Sequence, residues 1–156
     1  MPTLDVELLK SIADGVVSHA QASGHFDKVN EHEPKRKPGT VMTAALWVQG
    51  IDPLPGASGL NNTSARILYT LRIYQNMLSE PQDMIDPRVM EATYTMMAAY
   101  SDDFTLDGLI RNVDLLGQFG FALAAQAGYV EIDGTMYRAM DISLPLIIND
   151  LWVQSA

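Results

Sequence analysis

Cysteine is absent from the 156 residues, which removes disulfides, cysteine-ligated zinc, iron–sulfur clusters and thiol catalysis together. Positive charge is scarce: ten Lys and Arg against nineteen Asp and Glu leave a net charge of -9. General adhesion to phosphate backbones is not expected, because affinity for DNA comes chiefly from neutralising phosphates with Lys and Arg, and any DNA contact would have to be local. No apolar run approaches the roughly 18 residues that a transmembrane helix needs. The opening "MPTLDVELLK" places Asp5 and Glu7 where a signal peptide carries positive charge and then an apolar run. The chain is therefore expected to work in the compartment where it is made.

Catalytic signatures are missing as well. No serine stands in G-x-S-x-G, and Gly117 and Gly120 read as turn residues rather than a P-loop or dinucleotide fingerprint. Carboxylate pairs such as Asp83–Asp86 and Asp102–Asp103 sit beside turn and helix-start signals, where capping and solvation explain them. His25, His32, Glu31 and Glu33 share one loop and carry zinc- or manganese-type ligands, but match no known ligand spacing. The nine methionines read as core filler. No enzyme activity, metal or cofactor is expected.

What is present is a chain of 47% hydrophobic and 19% charged residues, the balance of one globular domain spanning residues 1–156. Leu4, Leu8, Ile12 and Val16, flanked by Leu9, Ala13, Val17 and Ala20, predict an amphipathic helix capped by Thr3 and stopped at Gly24. Residues 24–40 read as an extended loop, with Phe26 and Val29 tucked against the body. "VMTAALWVQG" (41–50) reads as a strand apolar on both faces, with Met42, Ala44, Leu46 and Val48 opposed to Val41, Ala45 and Trp47. "SARILYTLRIY" (64–74) alternates cleanly, with Ala65, Ile67, Tyr69, Leu71 and Ile73 facing one way and Arg66, Thr70 and Arg72 the other. The extended loop at about 50–63, whose stretch "IDPLPGASGLNNT" holds two prolines and two glycines, reads as a shaped protrusion.

Asp86 is the expected N-cap of a second helix and Pro87 its first residue, with Val89, Met90, Thr93, Tyr94, Met96, Met97 and Tyr100 as its apolar face. A short strand within 109–115 follows. "AAQAGYVEI" and "TMYRAMDISLPLII" then read as a hairpin turned at Asp133-Gly134, with Pro145 marking an edge or a bulge. The sum is an α+β domain: a mostly antiparallel sheet with two helices packed on it.

One stretch runs against the charge balance. "EHEPKRKPGT" (31–40) places Lys35, Arg36 and Lys37 side by side between Pro34 and Pro38. A nucleic-acid clamp would need further cations or interleaved aromatics, which are lacking. Two readings remain: a solvated loop, or a stiff positive arm that pairs with an acidic neighbour. Apolar residues in loops (Ile51, Leu54, Leu60) and in the tail (Trp152) suit a subunit that buries more surface on assembly.

The order of elements, and the stretches "VNEHEPKRKPG", "TSARILYTLRIYQNMLSEPQDMIDP", "FTLDGLIRNVDLLG" and "INDLWVQSA", resemble the tail terminator proteins of long-tailed phages (siphoviruses), in particular those of phages of actinobacteria. The resemblance spans most of the chain. It implies a non-enzymatic virion protein that needs no cofactor, assembled in the host cytoplasm and located at the head-proximal end of the tail. It implies a homo-hexameric ring on the last ring of the tail tube, which stops tube polymerisation and presents a surface to the head-completion or connector proteins. Genomic DNA would pass through the lumen without specific binding, which the acidic balance suits, and no membrane is involved. Lys35, Arg36, Lys37, Ile51, Leu54, Leu60 and Trp152 are then the candidate subunit and partner contacts, read from this sequence alone. Alternatives are another neck or tube component (a head–tail connector or a tail tube subunit), a DNA-binding module centred on the basic triplet, and a small metal-binding α+β enzyme.

Overall fold

The computed structural model describes residues 2–33, 42–55, 58–59, 62–78 and 80–153. Helix α1 (Pro2–Ala22) leads to strands β1 (Lys28–Asn30), β2 (Thr43–Pro53) and β3 (Asn62–Asn76). A 3-10 turn (Gln82–Met84) enters helix α2 (Ile85–Asp102), and β4 (Asn112–Val113), β5 (Ala124–Ile132) and β6 (Thr135–Val153) follow. Among the described residues the strands form one sheet in the order β1-β2-β3-β6-β4, with β5 also pairing β6, and every pairing except β1 with β2 is antiparallel. The expected α+β class with a mostly antiparallel sheet and two helices is what the structure shows.

Both helices lie on one face of the sheet. Ile12, Val16 and Ala20 of α1 and Val89, Ala92, Met96 and Tyr100 of α2 share a core with Ala65, Ile67, Leu71 and Ile73 of β3 and Ile142, Leu144 and Leu146 of β6. The alternation read in β3 therefore has the predicted faces. Tyr100 ties the helices together, donating its hydroxyl proton to the Val16 carbonyl at 2.9 Å while fully buried. Burial pushes its hydroxyl well above the ordinary tyrosine value. On the opposite face a smaller cluster joins Ala45, Tyr74 and Tyr137, with Trp47, Val130 and Ile132 against it. The two-sided apolar character of β2 is real at Ala44, Ala45 and Leu46, and ends at Val48, which is exposed beside a bulge at Val48/Gly50.

Several expectations are corrected. Residues 28–30 form a strand, because Lys28–Asn30 find a parallel partner in Thr43–Ala45; Phe26 and Val29 do pack on the core. The protrusion is shorter than read, since residues 51–53 remain in the ladder with 65–67 and Asn62 and Thr63 pair with β6. Thr3 lies inside α1, which already includes Pro2. Asp86 does not cap α2. The preceding 3-10 turn runs into the helix, the N-cap is Met84, and no side chain caps it. Asp86 instead accepts a bond from the Arg138 guanidinium at 2.9 Å. Met90 and Tyr94, expected in the buried face of α2, are exposed.

Pro145 stands in an interior strand, opposite Leu68 of β3. Its carbonyl accepts from the Asp114 amide, and in a strand a residue's nitrogen and carbonyl point to the same side. The missing N–H therefore faces the flank where β5 pairing ends (Ala124↔Ser143) and β4 pairing begins (Val113↔Leu146), so it is not demanded by the β3 ladder. The Asp133-Gly134 turn forms as expected, with φ values of 52° and 80°, both in the left-handed region that a two-residue hairpin turn of this type requires.

Candidate functional site

The predicted contact residues divide into three groups. Lys35, Arg36, Lys37 and Leu60 lie outside the described residues. Leu54 is buried within its own chain, and its amide bonds the Ser64 carbonyl at 2.9 Å, so it is withdrawn from any docking surface. Ile51 and Trp152 remain exposed, at 45% and 40%.

The described arginines on the sheet are already committed. Arg66 pairs with Asp52 at 2.9 Å and lies 4.5 Å from the centroid of the Phe121 ring. Arg72 makes a two-point pair with Asp141, its second contact at 2.9 Å, and sits over Trp47. Arg138 pairs with Asp86 and lies over Tyr129 at 4.5 Å. Each cation thus has a carboxylate and an aromatic face, an arrangement that fixes side chains within the fold and leaves little charge for a phosphate. Lys35, Arg36 and Lys37 stand apart from this set in sequence.

The loop histidines do not assemble a ligand set. His25 bonds the Thr95 hydroxyl at 3.1 Å, and among the described residues no three His, Asp or Glu side chains converge as metal ligands. Among those residues, too, no helix is long and apolar enough to cross a membrane.

The exposed apolar side chains are distributed unevenly. Tyr129, Met136, Met84 and Met90 gather near the start of β6, where Tyr129 pairs with Arg138 and the Asp86–Arg138 bond holds the first turn of α2. Phe104, Leu116, Phe121 and Trp152 gather near its end, through β4 pairing at Leu146, the Arg66–Phe121 contact and the Thr63–Trp152 pairing. From Arg138 to Ile147 the strand covers roughly 30 Å. Leu116, 93% exposed, rides on a loop that buried Asp114 holds by accepting the amides of Gln118 and Phe119, both at 2.8 Å.

At the first of these ends an apolar cavity of about 380 Å³ opens between α2 and the sheet. Pro87, Val89, Met90, Ala127 and Met140 line it, and the Asp86–Arg138 pair closes one side. Sequence reading missed this site because Met90 and Val89 were merged into one helix face. They are about 100° apart on the helical wheel, and only Val89 shares the stripe of Ile85, Ala92, Met96 and Tyr100. No family model and no curated protein matches the chain.

Proposed function

We propose that the chain is a structural virion protein: the tail terminator of a long-tailed phage, forming a ring at the head-proximal end of the tail tube. In this reading it stops tube polymerisation and provides the joint to the head and neck. The ring is a homohexamer, flanked by the tail tube protein on one side and a head-completion or connector protein on the other. The observation that carries the reading is that eight exposed apolar side chains gather at the two ends of β6, four at each. Monomers rarely leave such patches uncovered, and two different patches on one subunit suit head-to-tail contacts and unlike partners above and below.

Two further features support it. The sheet arginines are neutralised within the fold, and the net charge is -9; a lumen built from such subunits lets DNA slide rather than holding it. The stretches that resemble tail terminators span most of the chain.

The test is deletion of the gene in its phage. Expected are DNA-filled heads beside unattached tails of abnormal length; normal, joined virions refute the proposal. Purified protein is expected to give rings or monomers in electron micrographs. Long tubes would indicate a tube subunit, and stoichiometric zinc or manganese a metal-binding enzyme. Reversing the charge of Lys35, Arg36 and Lys37 to Glu is expected to impair tail assembly while the circular dichroism spectrum of the monomer is unchanged. Assembly that survives the change makes that segment a solvated loop.

A further inference from the structure

β5 is an edge strand of unusual composition. It bonds β6 along one side, and among the described residues its other side meets no strand. Edge strands are normally blunted by Lys, Pro, bulges or inward charges. The other edge of this sheet shows such devices: β1 is short and carries Lys28, and the part of β2 beyond it has the Val48/Gly50 bulge, Asp52 and Pro53. Ala124–Ile132 has no Lys, no Pro and no bulge, and its single charge, Glu131, stands one residue from its end.

The strand is also self-complementary. Laid antiparallel on itself about Gly128, it pairs Ala124 with Ile132, Ala125 with Glu131, Gln126 with Val130 and Ala127 with Tyr129. Three of the four pairs set an alanine against a larger side chain, and the two Glu131 carboxylates stay far apart. At the centre, Gly128 has no Cβ, the usual mark of a close backbone approach within a strand. The register with β6 puts Ala127 and Tyr129 on the helix-covered face, opposite Met140 and Arg138. Tyr129 of a second copy would therefore stand beside Ala127, at the mouth of the 380 Å³ cavity lined by Pro87, Val89, Met90 and Met140. Tyr129 is 61% exposed in the single chain, where its ring lies against the Arg138 guanidinium at 4.5 Å.

We infer that two copies of this chain join through β5 in a two-fold antiparallel pairing centred on Gly128, each inserting Tyr129 into the cavity beside the other's Ala127. Main-chain bonds give the contact its strength, and the side chain in its pocket fixes the register. The contact goes beyond the tail reading and does not depend on it: a two-fold contact cannot relate neighbours within a ring closed by head-to-tail contacts, so beside such a ring it would join subunits of two rings.

The absence of cysteine makes the register directly testable. In an antiparallel pair, facing Cα atoms lie about 4.5–5.5 Å apart, within the span a disulfide bridges. A Cβ at Gly128 meets nothing within 4 Å, so Gly128→Cys fits the fold. Under mild oxidation Gly128→Cys is expected to give a covalent dimer. Gln126→Cys is the control: its two copies would lie roughly 13 Å apart along the strands and should not cross-link. Failure of Gly128→Cys to cross-link, or equal cross-linking of both, overturns the inference. By sedimentation, Tyr129→Ala should weaken dimerisation at least about tenfold, the loss expected of a buried aromatic anchor, with an unchanged circular dichroism spectrum; an unchanged dimer constant refutes the insertion. Rings without the cross-link would remove this contact and leave the tail reading, whereas a cross-linked dimer whose gene deletion leaves normal virions would do the reverse.

Discussion

Replacing Tyr100 by Phe tests the joint between the helices, and its effect should change with pH. The ring stays in place and the hydroxyl bond to the Val16 carbonyl is lost. That carbonyl belongs to α1, so the helical bond from four residues on still satisfies it. The cost at neutral pH is then a net hydrogen bond, about 1 kcal/mol, rather than an orphaned buried acceptor. For a domain of this size the melting temperature falls by about 2–4 °C. At alkaline pH the balance reverses. Burial raises the Tyr100 hydroxyl above its ordinary 10.0, so above that pH the unfolded chain releases a proton that the folded chain keeps. The stability this group contributes is complete below about pH 10 and falls by about 1.4 kcal/mol per pH unit above it. A phenylalanine at this position has no such proton, so the variant should equal the parent near pH ~11. Urea unfolding followed by tryptophan fluorescence at stepped pH measures both limbs. A stability gap that stays constant from neutral pH through the alkaline range would refute the reasoning. Tyr69, Tyr74 and Tyr137 are also raised, chiefly by burial, so both proteins should still lose stability there, the parent more steeply.

Other outcomes follow from single contacts. Asp114→Ala strands the amides of Gln118 and Phe119 and should cost about 3 kcal/mol, with those two amides losing protection in hydrogen exchange; unchanged protection would mean that the loop is held elsewhere. Asp103 is held below its ordinary 3.8 by the Asp107 amide and then by His19. Its contribution is present above that value and lost as pH falls through the lower folded value, so Asp103→Asn should flatten the acid limb; parallel curves for parent and variant would refute it. Gly134→Ala places a side chain at φ 80° in the hairpin turn and should lower stability by about 1 kcal/mol, read as a shift in urea midpoint with an unchanged slope; no shift would mean the turn is unstrained.

Much of the fold was legible where a local signal and the tertiary environment agree. The alternation of β3 survives because it has strands on both sides and helices over one face. The hairpin of β5 and β6 survives because Asp133-Gly134 closes it without help from the rest of the chain. Where a residue's role depends on a distant partner, local rules misassign it. Asp86 has the composition of a cap, but Arg138, far along the chain, claims its carboxylate. Lys28–Asn30 become a strand only because β2 offers an edge. β6 reaches Val153 by bulging around Asp150, whose amide bonds the buried Ser64 hydroxyl, and nothing near "IINDLWV" announces that partner. Of the candidate contacts, Ile51 and Trp152 lie on the surface as exposed apolar residues, and Leu54 does not, because the β2–β3 connection folds it inward.

The length of β6 has a kinetic consequence. It bonds β3, β4 and β5, and it is the last of these elements to emerge during synthesis. The β2–β3 hairpin and both helices appear earlier, but their apolar faces lack the strand that completes the core. The β5–β6 turn can close in microseconds, whereas Asn76 must find Tyr137 and Asn62 must find Val153, 61 and 91 positions away, pairings whose loop-closure cost comes before their reward. Until they form, β3 presents an open apolar edge to the crowded cell. The interval between synthesis of β3 and docking of β6 is thus when this chain is most exposed to aggregation, and when a chaperone would have most to hold.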